Sequence, residues 1–270
     1  MIGGYFGNGK GIFHGDTKSP SLDQGIVTYK NLGKNGRLGN QLWQVASTLG
    51  IAFQNDMTYV LPEWEYAQHI NPYLPQDNSF LPEFYYEEET TRFKEIKLSP
   101  GKWNINGYFQ SYKYFDSPLA KNTLDYIFNV RPETFKYFRY QDTVAVHVRR
   151  GDYLNLSHIH YNLPESYYRK AFSYFPNETF TIFSDDTKWC EETFSDIDCV
   201  IVHKDHFAVD LFNIYAMSLC KGIIIANSSF SWWGAYLSKH TNIIAPNLWV
   251  AGENTVEDRI PKEWTVIDAN

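Results

Sequence analysis

The chain has 270 residues, 43% of them hydrophobic, and a formal net charge of −7. That length suits one large domain or two small ones. The acidic balance argues against a nucleic-acid backbone as partner, and no apolar run approaches the ~18 residues of a membrane-crossing helix.

Residues 1–24 carry six glycines in the first fifteen positions and little periodicity. Gly7-Asn8-Gly9-Lys10-Gly11 superficially resembles a phosphate loop but lacks the lysine–serine pair and a preceding strand; a mobile arm or irregular loop is expected. No basic-then-apolar signal pattern opens the chain. Gly25 to Leu32 reads as a strand, and a glycine-rich turn follows over 33–40. Leu38, Leu42, Val45, Ala46, Leu49 and Phe53 then recur at helical spacing. Gly36 and Gly39 suit either backbone approach to a ligand at the helix start or close strand–helix packing. Met57 to Leu61 reads as a second strand. In the ring-rich stretch 62–116, Trp103, Ile105, Gly107 and Phe109 alternate as in a strand, and Glu87-Glu88-Glu89 reads as a solvated acidic face. Residues 117–140 read as mainly helical and lead to a boundary near 135–140, dividing 1–138 from 139–270.

The second half is regular. Strands at 143–148, 179–184, 198–203, 222–226 and 242–245, with a last one at 264–267, alternate with helices near 164–175, 187–195, 209–220 and 229–239. The pattern predicts an α/β fold with a parallel sheet and helices on both faces. Three polar clusters fall at strand ends. The first follows Val144, Val146 and Val148, whose period of two marks a buried strand. Residues two apart share a face, so His147 and Arg149 point one way and Arg150 the other. Two arginines at the C-terminal edge of an open sheet suit a bound anion; an internal Arg–Asp ion pair is the alternative. The second cluster is Phe183-Ser184-Asp185-Asp186. The third, Asn227-Ser228-Ser229-Phe230-Ser231-Trp232, opens a helix, where serines and backbone N–H groups can meet phosphate or simply cap the helix. Three polar strand ends with two arginines on one edge favour a nucleotide site. The three cysteines, Cys190, Cys199 and Cys220, lack metal-ligand spacing and read as free thiols of a reducing, cytoplasmic compartment.

Five segments, GRLGNQLWQVA (36–46), GYFQSYKYF (107–115), HVRRGDY (147–153), FSDD (183–186) and ANSSFSWWGAYL (226–237), resemble, in order, the α-1,2-fucosyltransferases of glycosyltransferase family 11. The resemblance implies a GT-B fold: two Rossmann-like halves facing across a cleft, the first on the acceptor side and the second binding a GDP-sugar. It implies GDP-fucose as donor, a galactose-containing glycan as acceptor, inversion at the fucose carbon, and no metal or other cofactor. By likeness Arg149 is the most critical residue, supported by Arg150, His147 and Asp152. The segment Asn227 to Trp232 would hold the diphosphate side, Asp185 would join the substrate-binding residues, Asp210 would read guanine, and Gly39, Asn40 and Gln41 would face the donor from the first half. The chain departs from the family in its shortness, its glycine-rich start and Trp43 in place of the usual Phe.

Physically, breaking the fucose–phosphate bond leaves extra charge on the β-phosphate, which an arginine fork neutralises without a metal. Asp185-Asp186 is a metal candidate, but no third acidic ligand is near. The acceptor hydroxyl must lose a proton; His160, His158 and Asp152 are the candidate bases, and His160 could equally be a loop histidine without a role. The competing readings are another GDP-sugar or linkage, and a lectin-like module that binds without turnover. The location expected is cytoplasmic, at most peripheral to membrane-linked glycan assembly. No oligomeric state follows from the sequence.

Overall fold

The computed structural model describes residues 24–70, 74–128, 139–202, 210–238, 240–252 and 256–270. Residues 1–23 of the glycine-rich opening and residues 129–138 of the 117–140 stretch lie outside them.

Strands β1 (Gly25–Thr28), β2 (Thr58–Tyr59), β3 (Phe84–Glu87) and β4 (Gly101–Asn106) form one sheet in the order β2-β1-β4-β3. Every pairing is parallel, with Val27 beside Trp103 and Tyr85 beside Asn104. β1 is shorter than the sequence suggests, because the chain turns at once and Leu32 N–H bonds Tyr29 C=O. β3 carries no clear alternation and enters the sheet only through β4.

The second sheet joins β5 (Val144–Val148), β6 (Phe180–Ser184), β7 (Cys199–Val202), β8 (Gly222–Ile224), β9 (Ile243–Pro246) and β10 (Thr265–Ile267) in the order β10-β9-β8-β5-β6-β7, again all parallel. Between them lie α3 (Glu165–Phe172), α4 (Thr187–Thr193), α5 (Asp210–Leu219) and α6 (Ser229–Tyr236). The central strand β5 is buried on both faces. Val144, Val146 and Val148 pack with Tyr167, Tyr168 and Phe172 of α3 and Cys190 of α4. Ala145 faces the core that contains α5 and α6. This is the expected parallel sheet with helices on both sides.

Helix α1 (Leu38–Gln54) joins the halves. Only Asn40, Phe53 and Gln54 of its 17 residues escape full burial. The apolar stripe expected from the sequence accounts for one face. The other carries Trp43, whose ring lies 4.0 Å from Trp232 and 5.7 Å from Trp233 of α6. A helix buried on all sides sits in a core, not on its rim. One hydrophobic cluster therefore runs from Val27 through Trp43, Phe115 and Trp232 to Trp264, with α2 (Pro118–Ile127) contributing Leu124 and Ile127. Burial lifts the Cys190 thiol to about 11 and that of Cys220 to about 12, so neither is a ready nucleophile. Among the described residues, no helix is long and apolar enough to cross a membrane.

Candidate active site

The C-terminal ends of the strands of both sheets open onto one cleft of about 880 Å³, within the range of small-molecule and cofactor sites. β5 delivers the first group. After Val148 the chain leaves the strand and enters a short 3-10 helix over Gly151–Asn155. Arg149 turns into the cleft wall, its Nη1 on Asp185 and its Nη2 on Asp152. Arg150 turns away, with Nε 3.1 Å from Asp186 Oδ2 and its guanidinium 4.2 Å over the Trp189 ring. The opposed directions expected from a strand are therefore found, and so is the internal Arg–Asp pairing posed as the alternative. It accounts for Arg150 wholly, since that residue does not line the cleft. Arg149 does line it, and the two carboxylates take one each of its five N–H donors.

Both aspartates are themselves fixed. Asp185 Oδ1 accepts the backbone N–H of Arg150 at 2.9 Å and of Gly151 at 3.2 Å. Asp152 Oδ2 also receives Arg37 Nη2 at 3.1 Å, an ion pair that crosses from the entrance of α1 to the second half. The Arg149 guanidinium lies 5.0 Å over the Tyr153 ring. Tyr153 and His160 stack face to face, 4.0 Å apart and 7° from parallel. Burial lowers the pKa of His160, opposed by the Asp152 charge, which favours the neutral imidazole, the form able to take a proton. His147 is buried in the wall with its ring 5.6 Å from Phe230. Burial pushes its pKa down to about 4, and its Nδ1 has no hydrogen-bond partner among the described residues. His158 is exposed and outside the cleft lining.

The second group is the start of α6. Ser228 caps the helix, accepting Phe230 N–H at 3.3 Å. Ser229 Oγ donates to Asn40 Oδ1 at 3.0 Å, and the same oxygen accepts Gln110 Nε2 at 2.7 Å. Gly39 makes this possible: a Cβ there would lie 2.6 Å from both Ser229 Oγ and Phe230 N. The close packing considered for this glycine is thus helix start against helix start, across the halves. Two helix N-termini, the positive ends of their dipoles, meet at the cleft. Asp210, the first residue of α5, is exposed along the same lining.

Four residues expected at the donor stand behind the wall instead. Asn227 is 1% exposed, and its Nδ2 donates to Tyr161 and Trp249 carbonyls at 2.7 and 2.8 Å. Ser231 bonds the Ala226 and Ser228 carbonyls within its own turn. Trp232 is buried, donating Nε1 to Arg259 C=O at 2.7 Å. Gln41 donates to Gly36 C=O and accepts Trp64 Nε1. A helix turns about 100° per residue, so a run of six cannot all face one cleft; Ser228, Ser229 and Phe230 do.

The opposite wall comes from the first sheet. Glu88 corrects the expectation of a solvated acidic run. It is half-buried, lines the cleft, and accepts the backbone N–H of Tyr108 at 2.7 Å and of Phe109 at 3.0 Å. Burial raises its pKa, opposed most by those two N–H groups and less by Arg259. Phe109 sits at φ +47°, a left-handed conformation that L side chains rarely adopt. Gly107 is at φ +146°, and a Cβ there would collide with the Glu88 side chain. Sequence reasoning missed Glu88, Arg37, Tyr108, Gln110 and Arg259 of this lining. Three arginines, at 37, 149 and 259, and four carboxylates, at 88, 152, 185 and 210, face one another there among the described residues.

Two parallel sheets with helices, meeting over a cleft at their strand ends, form a fold of GT-B type. Fucosyltransferase NodZ from Bradyrhizobium superimposes with a TM-score of 0.51 at 16% identity, covering 81% of this chain and 93% of its own. The chain belongs to glycosyl transferase family 11, whose model matches residues 28–268. It is 33% identical to an α-1,2-colitosyltransferase of Escherichia coli over 238 residues, 79% of this chain and 80% of the relative. It is 37% identical to the O-antigen biosynthesis glycosyltransferase WbnK of Escherichia coli over 123 residues; that match covers 42% of this chain and 41% of the relative's length.

Proposed function

We propose that this protein transfers L-fucose from GDP-fucose to the 2-hydroxyl of a galactose-type acceptor, with inversion and without a metal. The observation that carries the proposal is the place of Arg149: a guanidinium on the cleft wall, held by two carboxylates, beside a serine-lined helix start. As the bond from the fucose carbon to the β-phosphate oxygen breaks, that oxygen keeps the electron pair. Arg149 and the N–H groups at the start of α6 take up the charge. Asp152 and Asp185 hold the guanidinium in one orientation, so little reorganisation accompanies the step. The acceptor hydroxyl attacks the opposite face of the sugar carbon, and its proton passes to a base, for which neutral His160 is the candidate. The products are an α-1,2-fucoside, GDP and a proton. Asp185 and Asp186 are engaged by arginines, which supports an arginine, not a metal, as the counter-charge.

A second donor has a specific observation in its favour, since the 33%-identical relative is a colitosyltransferase; colitose is a deoxy analogue of fucose. Incubation with GDP-fucose and GDP-colitose in parallel, each with a panel of β-galactosides, followed by linkage analysis, tests both. The expected product is an α-1,2-fucosyl galactoside. Preferential transfer from GDP-colitose would replace the donor and keep the reaction. Nucleotide binding without transfer from either donor would overturn the reading in favour of a binding module.

A further inference from the structure

In the proposed reaction, the cleft wall that faces Arg149 takes no part in breaking the donor bond. Glu88, Thr91 and Tyr108 line it, at the C-terminal ends of β3 and β4. Among the described residues, Glu88 is the one carboxylate that the first half contributes to the cleft lining. An ionised carboxylate offers about four acceptor positions. The N–H groups of Tyr108 and Phe109 occupy part of that capacity, and the remainder opens on the cavity. Tyr108 is 46% exposed beside it. The turn that places the ring is built against backbone preference, through Phe109 at φ +47°, and such strain persists where surrounding structure holds it, commonly at functional sites. Glu88 helps to hold it, together with Ser47 Oγ, which donates to Phe109 C=O at 3.0 Å, and Tyr29 OH, which donates to Gly107 C=O at 2.7 Å. The same turn continues into Gln110, which reaches Asn40 and through it Ser229, so the position of this wall is tied to the start of α6.

A carboxylate beside a solvent-facing aromatic ring matches the chemistry of a sugar, which offers neighbouring hydroxyls as donors and an apolar face of C–H groups. We propose that Glu88 and Tyr108 form the acceptor-sugar subsite: Glu88 accepts hydrogen bonds from the hydroxyls of the accepting hexose, and Tyr108 stacks on its apolar face. This rests on the glycosyltransferase reading and names the residues that hold the acceptor opposite the departing diphosphate. The Tyr108 side chain is not a member of the Gln110–Asn40–Ser229 chain, so its ring can be removed while that link to α6 stays in place.

The test is steady-state kinetics of Tyr108→Ala, Tyr108→Phe and Glu88→Gln with methyl β-D-galactoside and lactose, alongside calorimetric titration with GDP. Tyr108→Ala is expected to raise the acceptor KM about three- to tenfold, and Tyr108→Phe to restore it. Glu88→Gln keeps one carbonyl oxygen for the turn and is expected to lower kcat/KM for the acceptor about ten- to hundredfold. GDP affinity should stay within about twofold in both Tyr108 variants. Acceptor KM unchanged in Tyr108→Ala, with GDP binding intact, would overturn the subsite, whether or not Glu88→Gln folds. If the wild type binds GDP but transfers to neither galactoside, saturation-transfer NMR with the same two sugars decides. A saturation-transfer signal present in the wild type and abolished in Tyr108→Ala supports the subsite although the transfer reading has failed. No signal in the wild type removes it.

Discussion

The two walls of the cleft are built by opposite means. The second-half wall is a charge network: Arg149 between Asp152 and Asp185, Arg37 reaching across to Asp152, and Asp185 tied to backbone N–H groups. The first-half wall is a backbone device: a left-handed Phe109 and a Cβ-free Gly107, pinned by the Glu88 carboxylate and the Ser47 and Tyr29 hydroxyls. The charge network fixes a guanidinium where a leaving group would develop charge. The backbone device fixes a ring and a carboxylate without using a cation. An anionic donor belongs on the first kind of wall and a neutral sugar on the second.

The paired arginines mark the edge of the charged wall. Arg149→Ala is expected to lower kcat by about 10²–10³ or more, the scale for removing one transition-state donor. Its neighbour Arg150, paired outside the cleft with Asp186 and Trp189, should behave differently. Arg150→Ala should leave kcat within about tenfold while lowering stability by about 1–2 kcal/mol, as expected for a cation–π contact and a partly buried ion pair. Equal kinetic losses in the two variants would erase the distinction between them.

The remaining effects are smaller. If His160 is the base, kcat/KM falls as pH drops through its lowered pKa, where the imidazole gains a proton, and His160→Ala loses about 10² in rate together with that acidic limb. An unchanged pH–rate profile removes His160 from the mechanism. His147 gives a pH dependence of stability. Its folded pKa, pushed down to about 4 from 6.5, means that below pH 6.5 the unfolded chain takes up the proton first. Stability is therefore full above 6.5 and declines as pH falls toward 4, by about 3 kcal/mol for this group. Denaturant melts across that window should show a smaller decline in His147→Asn. Gly39→Ala, at the joint between the walls, should cost about 1–3 kcal/mol by overpacking and raise the donor KM; a melting temperature equal to wild type would contradict the close approach.

The second half was legible because its signals are local. β-branched runs mark the strands, and each polar cluster follows its strand within a few residues. The parallel sheet follows from the alternation of strands and helices, and the opposed directions of Arg149 and Arg150 from the period of two. What escaped is what depends on distant partners. Glu88 reads as one of three surface glutamates until β4 brings Tyr108 and Phe109 beside it, twenty residues on. Arg37 lies inside a recognisable motif, yet its ion pair forms with residue 152. Arg259 lies in a segment without periodicity. The motif at 227–232 reads as one polar surface, whereas helix geometry divides it into a cleft face and a core face. Trp43, unusual for the family, fills the core between the halves against Trp232.

The central claim is that Arg149 and the start of α6 together grip the departing diphosphate. A crystal structure with GDP bound tests it most directly. The β-phosphate is expected within hydrogen-bond distance of the Arg149 guanidinium and of Ser228 or Ser229, with Asp152 and Asp185 still orienting that arginine. GDP bound elsewhere, with Arg149 engaged only by its two aspartates, would contradict it.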